Sequence, residues 1–443
     1  MRDEKGRPGR SLLDKLSTAR WGVIMRGVWE YNVLRHLRTL PPRQLQINVT
    51  FRCNSRCTMC NIWQMEDRPE MDLAQFSAVL KDPLFDGIER LTLAGGEPSL
   101  RSDLVPLTEL FIHRMSELKS LTLVTNGLAV ERILADSRAL LKLCTERGIN
   151  LNVSVSLDGV GAVHDEMRNV PGAFARVEKC LQGLKELQSE GHLLAPLRDA
   201  APTDGGTSTG RSSESGETRV APFWFGVGCV ITRKNLYRLR ELQAWCGERG
   251  IEVGFQLVGF HETYVANMEQ QGELDFNQAD REYLFQFLGE LAADRSASNF
   301  ETYYWNDMLS MYRDGRSRQT PCPFAVDSFV LDAYGDVYYC LSERKIGNCL
   351  GELETRNERL EERPGRHRSA GPCSAIYYDP ENLAFRKQMT HSSCLHCNSA
   401  CFANVGIKKD LKKYLWFRLT QRPERSPKGG TEYLPPKGGT EYL

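Results

Sequence analysis

No apolar run in this 443-residue chain approaches the roughly 20 residues that a membrane-spanning helix requires. An excess of one charge is also missing. Lys plus Arg and Asp plus Glu number 57 each, so net charge gives no case for nucleic acid as the main partner. The opening residues, Met1-Arg-Asp-Glu-Lys-Gly-Arg-Pro, lack the apolar core of a secretory signal, and the expected compartment is the cytoplasm. Thiols are reduced there, so the 14 cysteines read as metal ligands and buried thiols rather than disulfides. Long repeats are absent too. Pro-Lys-Gly-Gly-Thr-Glu-Tyr-Leu occurs at 427–434 and again at 436–443, too few and too short for a solenoid, and reads as a flexible tail.

What remains is an ordinary globular composition, 41% hydrophobic and 26% charged, long enough for two or three domains. Residues 11–38 read as an N-terminal helical stretch packed on the next domain, within a segment 1–44. From 45 to 262 short apolar strands alternate with helices. The strand candidates are Gln46–Val49, Arg90–Ala94, Ser120–Thr125, Asn150–Leu157, Phe223–Val230 and Glu252–Val258. Helices are expected over Leu73–Leu80, Asp103–Ser116, Glu131–Arg147, Gly172–Glu190 and Leu236–Arg249. Such alternation predicts parallel βα units, and six of them predict an α/β fold, a partial (β/α)6 TIM-like barrel with its site at the C-terminal strand ends. Residues 196–221, rich in Gly, Ser and Thr, read as a disordered insertion. A helical connector over 263–320, a small cysteine-rich α/β extension over 321–405 and a tail over 406–443, disordered from 424, complete the expected order.

The most informative motif is Asn48-Val-Thr-Phe-Arg-Cys53-Asn-Ser-Arg-Cys57-Thr-Met-Cys60, a C-x3-C-x2-C run directly after the first strand. Three thiolates this close can hold a four-iron cluster, which structural sites normally tie down with four. One iron is then left open to bind a substrate or cofactor, as on a catalytic metal. Ala94-Gly95-Gly96-Glu97-Pro98 follows the second strand; two glycines there let the backbone approach a ligand, and the carboxylate can accept from an ammonium.

Together these residues resemble the radical S-adenosylmethionine (SAM) superfamily. The resemblance implies a [4Fe-4S] cluster on Cys53, Cys57 and Cys60 whose open iron chelates SAM, with Gly95, Gly96 and Glu97 near its amino group. It extends to Thr125-Asn126-Gly127 after the third strand and to Ser154-Val-Ser156-Leu-Asp158-Gly159 and His164-Asp-Glu-Met-Arg168 after the fourth. By the resemblance Ser156, preferred over Ser154, contacts SAM, and Arg168 pairs with its carboxylate, for which an arginine fork is suited. Electrons would come from a donor such as flavodoxin or ferredoxin. Cleavage would yield a 5′-deoxyadenosyl radical that takes hydrogen from a substrate.

The last third carries Cys322, then twelve residues, Gly335, four residues and Cys340; Asp332-Ala-Tyr-Gly335-Asp reads as a hairpin turn that brings the two thiols close. Cys394-Leu-His-Cys397-Asn-Ser-Ala-Cys401 follows, a chelate compatible with zinc or iron–sulfur. The layout resembles the SPASM/twitch extension, which implies one auxiliary [4Fe-4S] cluster on Cys322, Cys340, Cys394 and Cys397, with Cys401 close enough to replace one of them. Cys373 is a further spare. Cys349, Cys144, Cys180, Cys229 and Cys246 read as core. The substrate expected from this resemblance is a peptide or protein side chain, with a small metabolite such as a carbohydrate or cofactor precursor as the alternative. A non-catalytic iron–sulfur electron carrier is the reading from another class, and the SAM-pocket residues argue against it.

Overall fold

A computed structural model describes residues 27, 29–193, 223–294, 299–351, 371–400, 406, 407, 410 and 413. The 196–221 insertion, Cys401 and the C-terminal repeat lie outside these residues. Six parallel strands run β1 Gln44–Thr50, β2 Arg90–Gly95, β3 Ser120–Thr125, β4 Asn150–Ser156, β5 Phe223–Ile231 and β6 Val253–Leu257. Each lies beside its sequence neighbour, as short right-handed crossovers through helices dictate. Helices Leu73–Val79, Leu104–Arg114, Val130–Arg147, Ala173–Leu193 and Leu239–Glu248 supply the crossovers, and the last is preceded by a separate 3-10 turn, Leu236–Arg238, where one helix was expected.

The register explains why one face of the sheet is a core and the other a site. Leu45, Leu91, Leu121 and Leu151 align across four strands, and Ile47, Leu93, Leu123 and Val153 form the next row. All of them are buried in one hydrophobic core with residues of the covering helices. The alternate rows project to the other face. They hold Gln46, Thr92, Thr122 and Asn152, side chains that a sheet buried on both faces does not usually carry.

The sheet does not close. It continues past β1 with β7 Ser328–Asp332, parallel to β1, and then β8 Asp336–Tyr338 and β9 Gly347–Asn348, both antiparallel. The order is β6-β5-β4-β3-β2-β1-β7-β8-β9. The cysteine-rich extension thus begins as the seventh strand of the same sheet, which leaves β1 central and buried along its whole length. The expected hairpin joins β7 to β8, with Gly335 at φ 81°, a left-handed conformation that favours glycine. Near the N-terminus, Tyr31 is fully buried and donates to Asp327 Oδ1 at 2.7 Å, so this segment packs on the sheet through the residue before β7. Among the described residues no helix is long and apolar enough to cross a membrane.

Candidate active site

The loop that follows β1 carries Cys53, Cys57 and Cys60, and four strand ends strap it down. From β2, Gly96 N donates to Thr50 O and Glu97 N to Arg52 O, at 2.7 and 2.8 Å. From β3, Asn126 Nδ2 donates to Asn54 Oδ1 at 2.7 Å and lies 3.8 Å from Cys53 Sγ. Beyond β4, Met167 O and Arg168 O accept from Thr58 N and Arg56 N, at 2.9 and 3.1 Å. Beyond β6, Asn267 Nδ2 donates to Met59 O at 2.9 Å, and Asn61 Nδ2 to Ala266 O at 2.8 Å.

The two glycines have a use inside the fold besides the ligand approach expected of them. A Cβ on Gly95 would stand 2.1 Å from Thr50 O, and one on Gly96 2.2 Å from Arg52 O; the close approach they permit is to the root of the cysteine loop itself. Gly95 also sits at φ 132°. Glu97 is fully buried and holds the ends of β2 and β3 together. Its Oε1 accepts from Thr125 Oγ1 at 2.8 Å and Ser99 N at 3.2 Å, its Oε2 from Asn126 N at 2.7 Å. Burial raises its carboxyl above the ordinary range, and these donors pull it back.

Arg168 is likewise engaged by the protein. Its Nη2 lies 2.8 Å from Asp158 Oδ2, with Asp158 fully buried, and its Nη1 donates toward Cys57 Sγ at 3.4 Å. Asp158 Oδ1 accepts from Val230 N at 2.9 Å. His164, also buried, accepts from Asp158 N through Nδ1 at 3.1 Å; burial and the neighbouring Arg168 push its pKa down to about 3, so it is neutral. Asp165 caps the following turn through Gly172 N and Phe174 N. Ser154 and Ser156 lie on the same half-buried face of β4, opposite Val153 and Val155.

The sequence reading assigned no role to Asp158, Ser55 or Asn54. Ser55 Oγ lies 3.1 Å from Cys57 Sγ and donates to Arg168 O at 3.2 Å. Asp158 stands in the sequence as the acid after the fourth strand; its partner lies ten residues on, at the end of the short helix Ala162–Arg168.

The donor set suits an iron–sulfur cluster. Burial pushes Cys53 up to about 11 and Cys60 up to about 12; the neighbouring thiols push in the same direction, while Arg168 opposes them. Thiolates in such a place need a cation among them, which a cluster supplies. Among the described residues no three Cys, His, Asp or Glu side chains are drawn around the space of a single metal ion.

A second thiol group lies in the extension. Cys322, Cys340, Cys394 and Cys397, from three separate segments, line one cavity of about 40 Å³ together with Arg318. Burial raises Cys322 above the usual thiol range, with Arg318 opposing, and pushes Cys394 up to about 12. Arg318 donates to Cys397 O and Ser399 O at 2.9 and 2.8 Å and so holds the C-x2-C turn. Cys373 does not join them. It is fully buried against Cys349, whose thiol contact raises it, and Cys144, Cys180, Cys229 and Cys246 are core residues as expected.

Residues 47–196 match the radical SAM superfamily. This stretch is a radical SAM domain. Over about a third of its length the chain is similar to curated proteins. It is 32% identical over 146 residues to Fe-coproporphyrin III synthase of Methanosarcina barkeri, covering 32% of this chain and 33% of that protein. It is 35% identical over 167 residues to GTP 3′,8-cyclase of Parasynechococcus marenigrum, covering 35% and 46%. It is 35% identical over 146 residues to pre-heme d1 synthase of Dinoroseobacter shibae, covering 32% and 33%. The chain thus spans between a third and just under half of each of these relatives. Among solved structures, Streptococcus suis SuiB bound to S-adenosylmethionine aligns over 88% of this chain and 80% of that one, with TM-score 0.49 and 14% identity.

Proposed function

We propose that this radical SAM domain cleaves SAM reductively and that the resulting radical takes hydrogen from a small-molecule substrate. The observation that carries the reading is the C-x3-C-x2-C loop itself, held by four strand ends and set against the Gly95–Gly96 turn and Asn126. Cys53, Cys57 and Cys60 would hold a [4Fe-4S] cluster with one open iron, which when bound supplies the electron for SAM cleavage. Gly95, Gly96, Glu97, Thr125, Asn126, Ser156 and Arg168 would form the SAM pocket. Glu97 works as the brace that fixes Thr125 and Asn126, while Arg168 brings positive charge beside Cys57. The half-buried polar face of the sheet would position the reacting groups.

Cys322, Cys340, Cys394 and Cys397 would hold an auxiliary four-iron cluster, and the electron donor would be of the flavodoxin or ferredoxin class. The small-molecule reading is favoured because the relatives similar to residues of this domain are named for GTP, porphyrin and heme chemistry. The peptide-side-chain reading keeps one supporting observation, the four thiols gathered in the extension.

Anaerobically reconstituted protein with dithionite should convert SAM to 5′-deoxyadenosine and methionine. Changing Cys53, Cys57 and Cys60 to alanine should abolish this and leave about half of about eight irons per chain. Unchanged turnover in the triple variant refutes the reading, and one zinc in place of the retained iron refutes the auxiliary cluster.

A further inference from the structure

A cavity adjoining the site contains an acid that the function above does not use. About 170 Å³ of space opens where the C-terminal ends of β1 and β7 lie side by side, Asn48 paired with Asp332 in the register. Phe51, two residues before Cys53, forms one wall, and Thr263 stands in the loop after β6. Tyr264, also on this cavity, donates from its hydroxyl to Gly95 O at 3.3 Å, so the space abuts the glycine turn of the proposed SAM pocket.

Asp332 is 1% exposed, and its two oxygens have separate tasks. Oδ1 accepts from Tyr334 N and Asp336 N, both at 2.9 Å, and so shapes the hairpin. Among the described residues Oδ2 accepts only the Tyr338 hydroxyl, at 3.2 Å, and Tyr338 also lines the cavity. Of the nearby cations Arg68 also lines the cavity, and both it and Lys345 are directed to Asp336 rather than Asp332. Arg68 and Lys345 lie 3.7 and 3.1 Å from Asp336, and Arg68 stacks over the Tyr334 ring at 3.9 Å. Among the described residues no cation pairs with Asp332. Burial and the neighbouring Asp336 raise its pKa. A hairpin needs only one carboxylate oxygen for its turn. The second leaves a lone pair in a cavity walled by aromatic rings, Phe51 stacked on Tyr334 at 4.9 Å among them.

We infer that this cavity is a subsite for a hydrogen-bond-donating head group of the substrate, an ammonium or a hydroxyl, received by Asp332 Oδ2 between the rings of Phe51 and Tyr338. An anionic head group is disfavoured, because the buried Asp332 lines the space and Arg68, the cation on its wall, lies 3.7 Å from Asp336 and over the Tyr334 ring. Asp332 is a binding residue here and takes no part in bond cleavage. The inference rests on the radical SAM reading only for what it calls the substrate.

The test uses the full-length reconstituted protein without SAM. Ethanolamine, acetate and inorganic phosphate are titrated separately, with binding read by calorimetry and by the shift in melting temperature. Ethanolamine is expected to bind saturably and acetate and phosphate not. Asp332→Asn is expected to weaken ethanolamine at least tenfold. Should that variant fold poorly, Thr263→Phe fills the cavity from the loop after β6 with Asp332 intact and is expected to abolish binding. Saturable acetate or phosphate binding without ethanolamine binding overturns the proposal. So does no binding by any probe, or ethanolamine binding that both variants retain. SAM cleavage by the wild-type protein is measured in parallel. Its failure sinks the radical SAM reading while leaving the ethanolamine result to stand or fall alone.

Discussion

Replacing Arg168 with glutamine removes the one cation that faces the fully buried Asp158 among the described residues. Only Val230 N would still donate to that carboxylate. Breaking a buried pair by deleting one partner costs about 3–5 kcal/mol, because the remaining charge stays desolvated. The sign with pH follows from the raised Asp158 pKa, which burial causes and Arg168 partly offsets. Without the arginine the folded-state pKa rises further. A carboxyl with a raised folded pKa carries no penalty below its unfolded value, because both states are protonated there. The penalty grows as pH rises toward the folded pKa. The stability lost by Arg168→Gln should therefore be greatest near neutral pH and above, and should shrink toward about pH 4. Urea unfolding of the full chain followed by circular dichroism measures it. Adding Asp158→Asn should restore most of the loss, so that the double variant costs clearly less than the two single changes summed. A loss under about 1 kcal/mol at neutral pH, the range of an exposed pair, would refute the reasoning. So would failure of the second change to rescue.

Three other outcomes are expected. Burial pushes the Asp332 carboxyl from 3.8 up to about 7, so its ionisation lowers folded-state stability progressively between those values. Asp332→Asn should gain stability relative to wild type across that window, by at most on the order of 4 kcal/mol, as urea midpoints at pH 4 and pH 8 will show; an unchanged difference at the two pH values contradicts it. Gly96→Ala places a Cβ 2.2 Å from Arg52 O and should displace the cysteine loop. A cost of about 1–3 kcal/mol and loss of about four irons per chain are expected by unfolding and elemental analysis. Cys373→Ala should leave iron content at the wild-type level, because its thiol contacts Cys349 and not the four-cysteine cavity. Loss of iron in that variant would make Cys373 a ligand.

Local signals announced most of the framework. The alternation Leu45-Gln-Ile-Asn-Val repeats in β2, β3 and β4, and period-2 patterns locate strands wherever one face is apolar. The Ser120–Thr125 strand was placed to the residue, and the other five within two residues at either end. The cysteine spacing was equally legible, because chelation by one short loop is a local property. The hairpin at Gly335 was legible for the same reason, since its turn chemistry lies in five consecutive residues.

Sequence alone could not say what else those polar residues would meet. Gly95 and Gly96 read as room for a ligand, and only the parallel pairing of the β1 and β2 ends shows that they also make room for Thr50 and Arg52. The motif places Glu97 and Arg168 at SAM, but it does not show that the folded chain also engages the first with Thr125, Ser99 and Asn126 and the second with Asp158 and Cys57. The extension read as a separate small unit, yet its first strand pairs with β1. That pairing puts Asp332 beside Asn48 from 284 residues away in the chain and creates the cavity between them. Motif spacing and strand period are properties of neighbours in sequence, and so the chain determined them by itself. Which buried charge meets which, and which strand edge is covered, depend on non-local packing and desolvation, which only the assembled sheet decides.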